Sequence, residues 1–168
     1  IAVGSVPGTV ALTNVDAADR AVDIVVVNEA SGDVSILLND GKGGFNSERE
    51  VRLRASDGLY GVSESGDSAM LNVHTHAQAT DAVFGDFNGD GLQDLAVANQ
   101  GLNAFSILYG KAGGGFADPE SFLVSDSPTE IAAGDLDGDG DLDVVLLNGA
   151  ADTISSWLNT GHGEDFTP

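Results

Sequence analysis

The sequence predicts an all-β fold of three four-stranded β-propeller blades, arranged as an open or partial ring. Three observations predict it. One set of landmarks recurs three times along the 168 residues. The apolar runs are short, β-branched or leucine-rich, and bounded by Gly, Asn and Asp, which is the signature of strands. No amphipathic helical period appears anywhere. A recurring unit that covers its neighbours on both faces is the blade of a propeller.

The elements follow in order. Ile1-Ala-Val-Gly-Ser-Val-Pro-Gly-Thr-Val10 resembles Phe122-Leu-Val-Ser-Asp-Ser-Pro-Thr-Glu-Ile131, so residues 1–7 read as the outer strand of a preceding or partner blade. Residues 8–53 form a first blade. In it Asn14-Val-Asp-Ala-Ala-Asp-Arg-Ala-Val-Asp23 leads into Ile24–Asn28, then Val34–Leu38 and the turn Gly41-Lys-Gly-Gly-Phe45. Residues 54–78 are an insertion. Residues 79–126 form the second blade: a first strand at Ala82–Phe84, the loop Asp86-Phe-Asn-Gly-Asp-Gly-Leu-Gln-Asp94, the run to Asn99, Phe105–Tyr109, a glycine-rich turn to Phe116, and an outer strand at Ser121–Val124. Residues 127–168 form the third, with a first strand at Ile131–Ala133, the loop Asp135-Leu-Asp-Gly-Asp-Gly-Asp-Leu-Asp143, the run to Asn148, Ile154–Leu158 and Phe166. Ile24–Val27 and Val144–Leu147 are apolar without alternation, as strands covered on both faces are.

The ends do not balance. The third repeat stops after Phe166, before the outer strand that Ser121–Val124 supplies to the second, and the first ten residues hold a spare one. Two accounts follow: the chain is an excised or partly ordered piece of a longer propeller, which is the favoured one, or the opening strand of one copy completes the last blade of another by strand addition, two copies making a six-bladed ring or further copies an open filament.

The two intact acidic loops predict calcium. Carboxylates at alternating positions of a tight loop converge on one point, and calcium takes 6–8 oxygen ligands at about 2.3–2.6 Å. The middle loop offers Asp86, Asn88 and Asp90, the Leu92 carbonyl and Asp94; the last offers Asp135, Asp137, Asp139, the Asp141 carbonyl and Asp143. Gly91 and Gly140, at position 6, supply the sharp turn. An EF-hand would need a Glu at position 12 and flanking helices, but Val97 and Leu146 stand there, inside apolar strands. A metal-free Asx turn is the other reading. The five carboxylates of the last loop weigh against it, since like charges in close contact repel by about 4 kcal/mol per pair at intermediate dielectric. In the first copy Asn14, Asp16, Asp19 and Asp23 align only with an insertion, Ala17 and Ala18 stand for the glycines, and Arg20 adds positive charge. A weak or empty third site is expected there.

On these residues the repeats resemble the FG-GAP/VCBS family of β-propeller blades, found in integrin α-subunit heads and in secreted bacterial proteins. The resemblance is specific at Asp86–Asp94 and Asp135–Asp143, looser at Phe84-Gly85, and spans nearly all of the chain outside the insertion. It implies a structural calcium ion between a blade's first two strands, and roles in adhesion, glycan binding or, in some members, enzyme scaffolding.

Composition narrows the function. With 27 acidic against 6 basic residues and a formal charge of −21, nucleic acid and anionic membrane surfaces are poor partners. No cysteine is present, so neither disulfides nor thiolate metal sites can form. No run approaches the roughly 20 apolar residues of a membrane span. The chain starts at Ile1, which suggests a processed or excised segment.

No catalytic constellation emerges. His74 and His76 could share zinc with Asp81, but they read first as a polar exposed loop; His162 lies far off in a glycine-rich turn. Ser63–Ser68 lacks a nucleophile elbow, and Glu48 and Glu50 read as a solvated strand face rather than glycosidase carboxylates. Trp157, Phe105 and Tyr109 read as core; Leu59 and Tyr60 are the better candidates for exposed contacts. Gly41–Gly44 and Gly113–Gly115 are hairpin turns with no following helix to bind phosphate. The expectation is a calcium-binding, non-catalytic module of an extracellular or cell-surface protein, bacterial or otherwise microbial, for adhesion, glycan or protein binding, or assembly. The alternative is the propeller domain of a polysaccharide-degrading enzyme.

Overall fold

The computed structural model describes residues 3–4, 6–16, 20–29, 33–45, 50–53, 78–112, 115–117, 119–125, 127–161, 163 and 165–168. Among these residues twelve strands form three antiparallel four-stranded sheets. Sheet 1 runs β1 (Pro7–Thr13), β2 (Asp23–Asn28), β3 (Asp33–Leu37) and β4 (Glu50–Leu53). Sheet 2 runs β5 (Ala79–Gly85), β6 (Asp94–Asn99), β7 (Ala104–Leu108) and β8 (Glu120–Leu123). Sheet 3 runs β9 (Pro128–Gly134), β10 (Asp143–Asn148), β11 (Thr153–Asn159) and β12 (Phe166–Thr167). Apart from one 3-10 turn at Gln100–Leu102, the described residues hold no helix. Each sheet is a meander in chain order, as short loops between successive strands dictate.

The registers confirm the repeat at single-residue precision. Thr13 pairs with Asp23, Gly85 with Asp94 and Gly134 with Asp143, so each acidic loop closes the hairpin of its sheet's first two strands. β12 is not a full outer strand. Its pairs, Leu158 with Thr167 and Asn159 with Phe166, correspond in sheet 2 to the bridge between Gly110 and Phe116 and the bond from the Ala117 N–H to the Tyr109 carbonyl. The position that β8 fills beside β7 therefore has no described occupant beside Thr153–Trp157. Of the opening residues, Val3 and Gly4 lie outside any strand, and the Gly4 N–H donates to Ser35 Oγ at 3.3 Å. His74, His76, Leu59, Tyr60, Ser63–Ser68, Glu48 and His162 fall outside the described residues.

The sheets stack face to face through their inner strands, β5 packing against both β1 and β9. Alternation along β6 makes sheet 2 the middle layer. Leu95 and Val97 join Val25, Val27, Val34 and Ile36 of sheet 1 in one core; Ala96 and Ala98 join Ile131, Val144 and Leu146 of sheet 3 in the other. A strand whose every residue is buried, such as β6, has to read as a continuous apolar run. The second core is aromatic: Phe105 stacks on Phe122 at 4.9 Å between centroids and meets Trp157 and Phe166 edge-on at 5.5 and 5.6 Å. These rings are core, as the sequence led one to expect. Tyr109 directs its hydroxyl to the Gly163 carbonyl.

Candidate metal centre

Each acidic loop is built around its last residue. Asp23, Asp94 and Asp143 are all buried, and each carboxylate accepts two backbone N–H groups. One comes from the loop's second residue: Val15 to Asp23 at 2.7 Å, Phe87 to Asp94 at 2.9 Å, Leu136 to Asp143 at 2.7 Å. The other comes from the end of the third strand: Asn39, Gly110 and Asn159, at 2.8, 2.7 and 2.9 Å. The position-9 carboxylate thus ties the loop to two hairpins at once. Burial raises the Asp94 carboxyl above its usual range; the Gly110 and Phe87 N–H groups act in the opposite direction, and Asp90 and Asp86 add repulsion.

The exposed half of each loop is held by its own carboxylates. Asp86 accepts the Asp90 and Gly91 N–H groups at 3.1 and 2.9 Å, and Asp135 accepts those of Gly138 and Gly140 at 2.6 and 3.2 Å. Asp90 and Asp139 cap the Leu92 and Asp141 N–H groups at 2.8 and 2.9 Å. Position 6 requires glycine: φ is +84° at Gly91 and +99° at Gly140. Placing a side chain there costs on the order of 1–3 kcal/mol, so Gly140→Ala should lower stability by about 1–2 kcal/mol in denaturant titration. Gly134→Ala is the matched control. Its φ is not positive and an added Cβ there meets nothing within 4 Å, so a shift of less than about 0.5 kcal/mol is expected.

The loops differ in convergence. Asp135, Asp137 and Asp143 each bring one carboxylate oxygen within 4.8 Å of the others, and among the described residues they are the one such group of acidic or histidine side chains. In the middle loop the third position is Asn88, whose amide donates to Asp90 at 3.2 Å. The trio is an all-oxygen set on a glycine-turned loop, the donor chemistry that a hard divalent cation takes. Asp139 faces the Asp141 N–H instead of the trio. In the first loop Asn14 and Asp16 precede Asp19, which lies outside the described residues, while the Asp23 tie is intact.

Sequence reasoning gave Asp94 and Asp143 a role as ligands and missed their role as backbone acceptors. The signal was available, because Asp23 keeps its place although the rest of its loop has decayed. A second recurrent device also went unassigned. Asn28, Asn99 and Asn148 each donate through Nδ2 to a serine on the third strand, Ser35, Ser106 and Ser155, at 2.9, 2.8 and 3.1 Å. The recurrence of Asn followed seven residues later by Ser was legible in all three copies.

Residues 86–146 match the family model of the FG-GAP-like repeat. This stretch, from the middle acidic loop into the strand after the last, carries that repeat, as the resemblance at Asp86–Asp94 and Asp135–Asp143 implied. The match is narrower than the near-complete coverage read from the sequence. No curated protein matches the chain. Among the described residues no helix is long and apolar enough to cross a membrane.

Proposed function

We propose that the chain is a calcium-binding, non-catalytic β-propeller module of a secreted or surface protein, serving adhesion, glycan or protein binding. The observation that carries the calcium reading is the convergence of Asp135, Asp137 and Asp143. In this reading Asp139 turns from the Asp141 N–H to join them with the Asp141 carbonyl. Asp86, Asn88, Asp90, Asp94 and the Leu92 carbonyl form the second site, and the decayed loop of Asn14, Asp16, Asp19 and Asp23 holds calcium weakly or not at all. The ion would neutralise carboxylates that otherwise repel across the loop, fixing the hairpin without acting in any reaction.

A non-catalytic role is supported by where the buried acids point. Asp23, Asp94 and Asp143 spend both oxygens on backbone N–H groups, an arrangement for holding strands. The propeller of a polysaccharide-degrading enzyme is the alternative. The cleft of about 190 Å³ between sheets 1 and 2, lined by Val6, Glu29, Gln78, Thr80 and Gln100, is smaller than the roughly 300–1,000 Å³ of small-molecule sites, so the binding role rests on the likeness to the repeat family.

Calorimetric titration of the chain with calcium tests the proposal. Two binding events are expected, accompanied by a rise in melting temperature. No heat and no thermal shift at millimolar calcium would refute the metal reading, and hydrolysis of polysaccharide by the purified chain would refute the non-catalytic one.

A further inference from the structure

An asparagine followed by glycine is chemically labile, because the glycine nitrogen can attack the asparagine carboxamide carbon with no Cβ on the glycine to obstruct the approach. The sequence holds two such pairs, Asn88-Gly89 and Asn148-Gly149. Folding decides whether the attack can occur, and it treats the two pairs differently.

Asn88 and Gly89 stand at positions 3 and 4 of the middle acidic loop, between β5 and β6. Asn88 is half-buried and Gly89 is exposed. Asn88 Oδ1 accepts the Asp90 N–H at 3.0 Å. The ring closed by this bond contains the Gly89 nitrogen, so the carboxamide is folded back along the peptide that would attack it. Its Nδ2 is held only by a 3.2 Å bond to the exposed Asp90 carboxylate. Gly89 has a φ of +74°, which glycine adopts without strain. The last loop differs at this nitrogen. There the Gly138 N–H donates to Asp135 Oδ1 at 2.6 Å, whereas Asp86 accepts from Asp90 and Gly91 and the Gly89 N–H donates no hydrogen bond among the described residues.

Asn148 is placed to resist the same reaction. It ends β10, paired with Thr153 on one side and Pro128 on the other, and it is 4% exposed. Its Nδ2 donates to Ser155 Oγ at 3.1 Å and Thr153 Oγ1 at 3.4 Å. Turning this carboxamide onto Gly149 requires breaking both bonds and opening the end of the strand.

We propose that Asn88 is a site of spontaneous deamidation, at which a carboxylate replaces an amide in the middle acidic loop. The Gly89 nitrogen bonds to Asn88 Cγ, the Cγ–Nδ2 bond breaks, and Nδ2 leaves as ammonia with the proton from Gly89. Water then opens the cyclic imide, its hydroxyl going to carbon and its proton to the Gly89 nitrogen. Attack at Cγ yields aspartate; attack at the Asn88 main-chain carbonyl yields isoaspartate, with one more methylene in the backbone between Asp86 and Asp90. The aspartate product carries its carboxylate where Asp137 stands in the last loop, so positions 1, 3, 5 and 9 of the two loops become identical.

Peptide mass mapping of the whole chain, incubated in chelator at neutral pH and physiological temperature, tests the proposal. In the folded chain Asn88 should gain the mass of OH exchanged for NH2, faster than Asn148 by on the order of a hundredfold or more, since loops open at almost no cost and core strands only at a large share of the global stability. Unfolding in urea should bring the two rates together, because both residues then have the same glycine neighbour. An Asn88 that stays intact in the folded chain, or that reacts no faster there than Asn148, would overturn the proposal. Chelator makes either result independent of whether the loops bind calcium.

Discussion

Asp94→Ala is expected to destabilise the protein by about 2–4 kcal/mol, in chelator as well as in calcium. The substitution removes the acceptor of two N–H groups, those of Phe87 and Gly110, in a place where Asp94 itself is fully buried. A buried donor left without a partner costs about 1–3 kcal/mol. Part of the loss is offset, because burial and the neighbouring Asp90 and Asp86 already disfavour the Asp94 carboxylate; removing that charge relieves a desolvation cost. The balance still falls on the destabilising side, since the carboxylate joins the loop's second residue to Gly110, just past β7, and both N–H groups lose their acceptor together. Urea unfolding in excess chelator reads the effect. A loss that vanishes in chelator would mean that Asp94 acts only as a ligand.

Asp137→Ala should behave in the opposite way. Asp137 is exposed, and its one internal bond is a 3.2 Å contact from the Asp139 N–H, so without metal the side chain holds little. Its other relationship is with Asp135 and Asp143 in the three-carboxylate group. If that group binds calcium, the wild type gains about 2.7 kcal/mol when the ion stands at a hundred times its dissociation constant. In a chain of this length that corresponds to about 5–10 °C in melting temperature. The variant should lose this increment in calcium and match the wild type in chelator, and calorimetry should count one site fewer. Equal destabilisation in both buffers would show that the loop is a metal-free turn. Measured side by side, the two substitutions separate the buried end of the loop, which holds strands, from its exposed end, where calcium is proposed to bind.

Much of the fold was legible because each blade writes its landmarks locally. Glycines at positions that need positive φ, carboxylates at alternating positions, and an Asn and a Ser at fixed distances after the loop's last Asp all act within some twenty residues of chain. Their spacing survives as a pattern that can be read without coordinates. That Asp94 and Asp143 do more than bind metal was legible in the persistence of Asp23, but their second N–H partner was not, because it comes from the end of the third strand or just past it. The distinction between Asp135–Asp143 and Asp86–Asp94 was also hidden. A single Asn at position 3 lets the middle loop bond internally where the last loop gathers three charges.

The sequence by itself determined the strands, the hairpin closures and the candidate ligands, since turn geometry and donor chemistry are properties of neighbouring residues. Only the tertiary structure decided what lies on each sheet's faces. Leu147 and Ala98 occupy the same position in the repeat and read alike as apolar residues of a second strand. Ala98 is fully buried and Leu147 is 39% exposed, because sheet 3 covers Ala98 and no sheet among the described residues covers Leu147. Burial of a face depends on another sheet arriving from elsewhere in space, and a strand's own residues carry no record of whether it does.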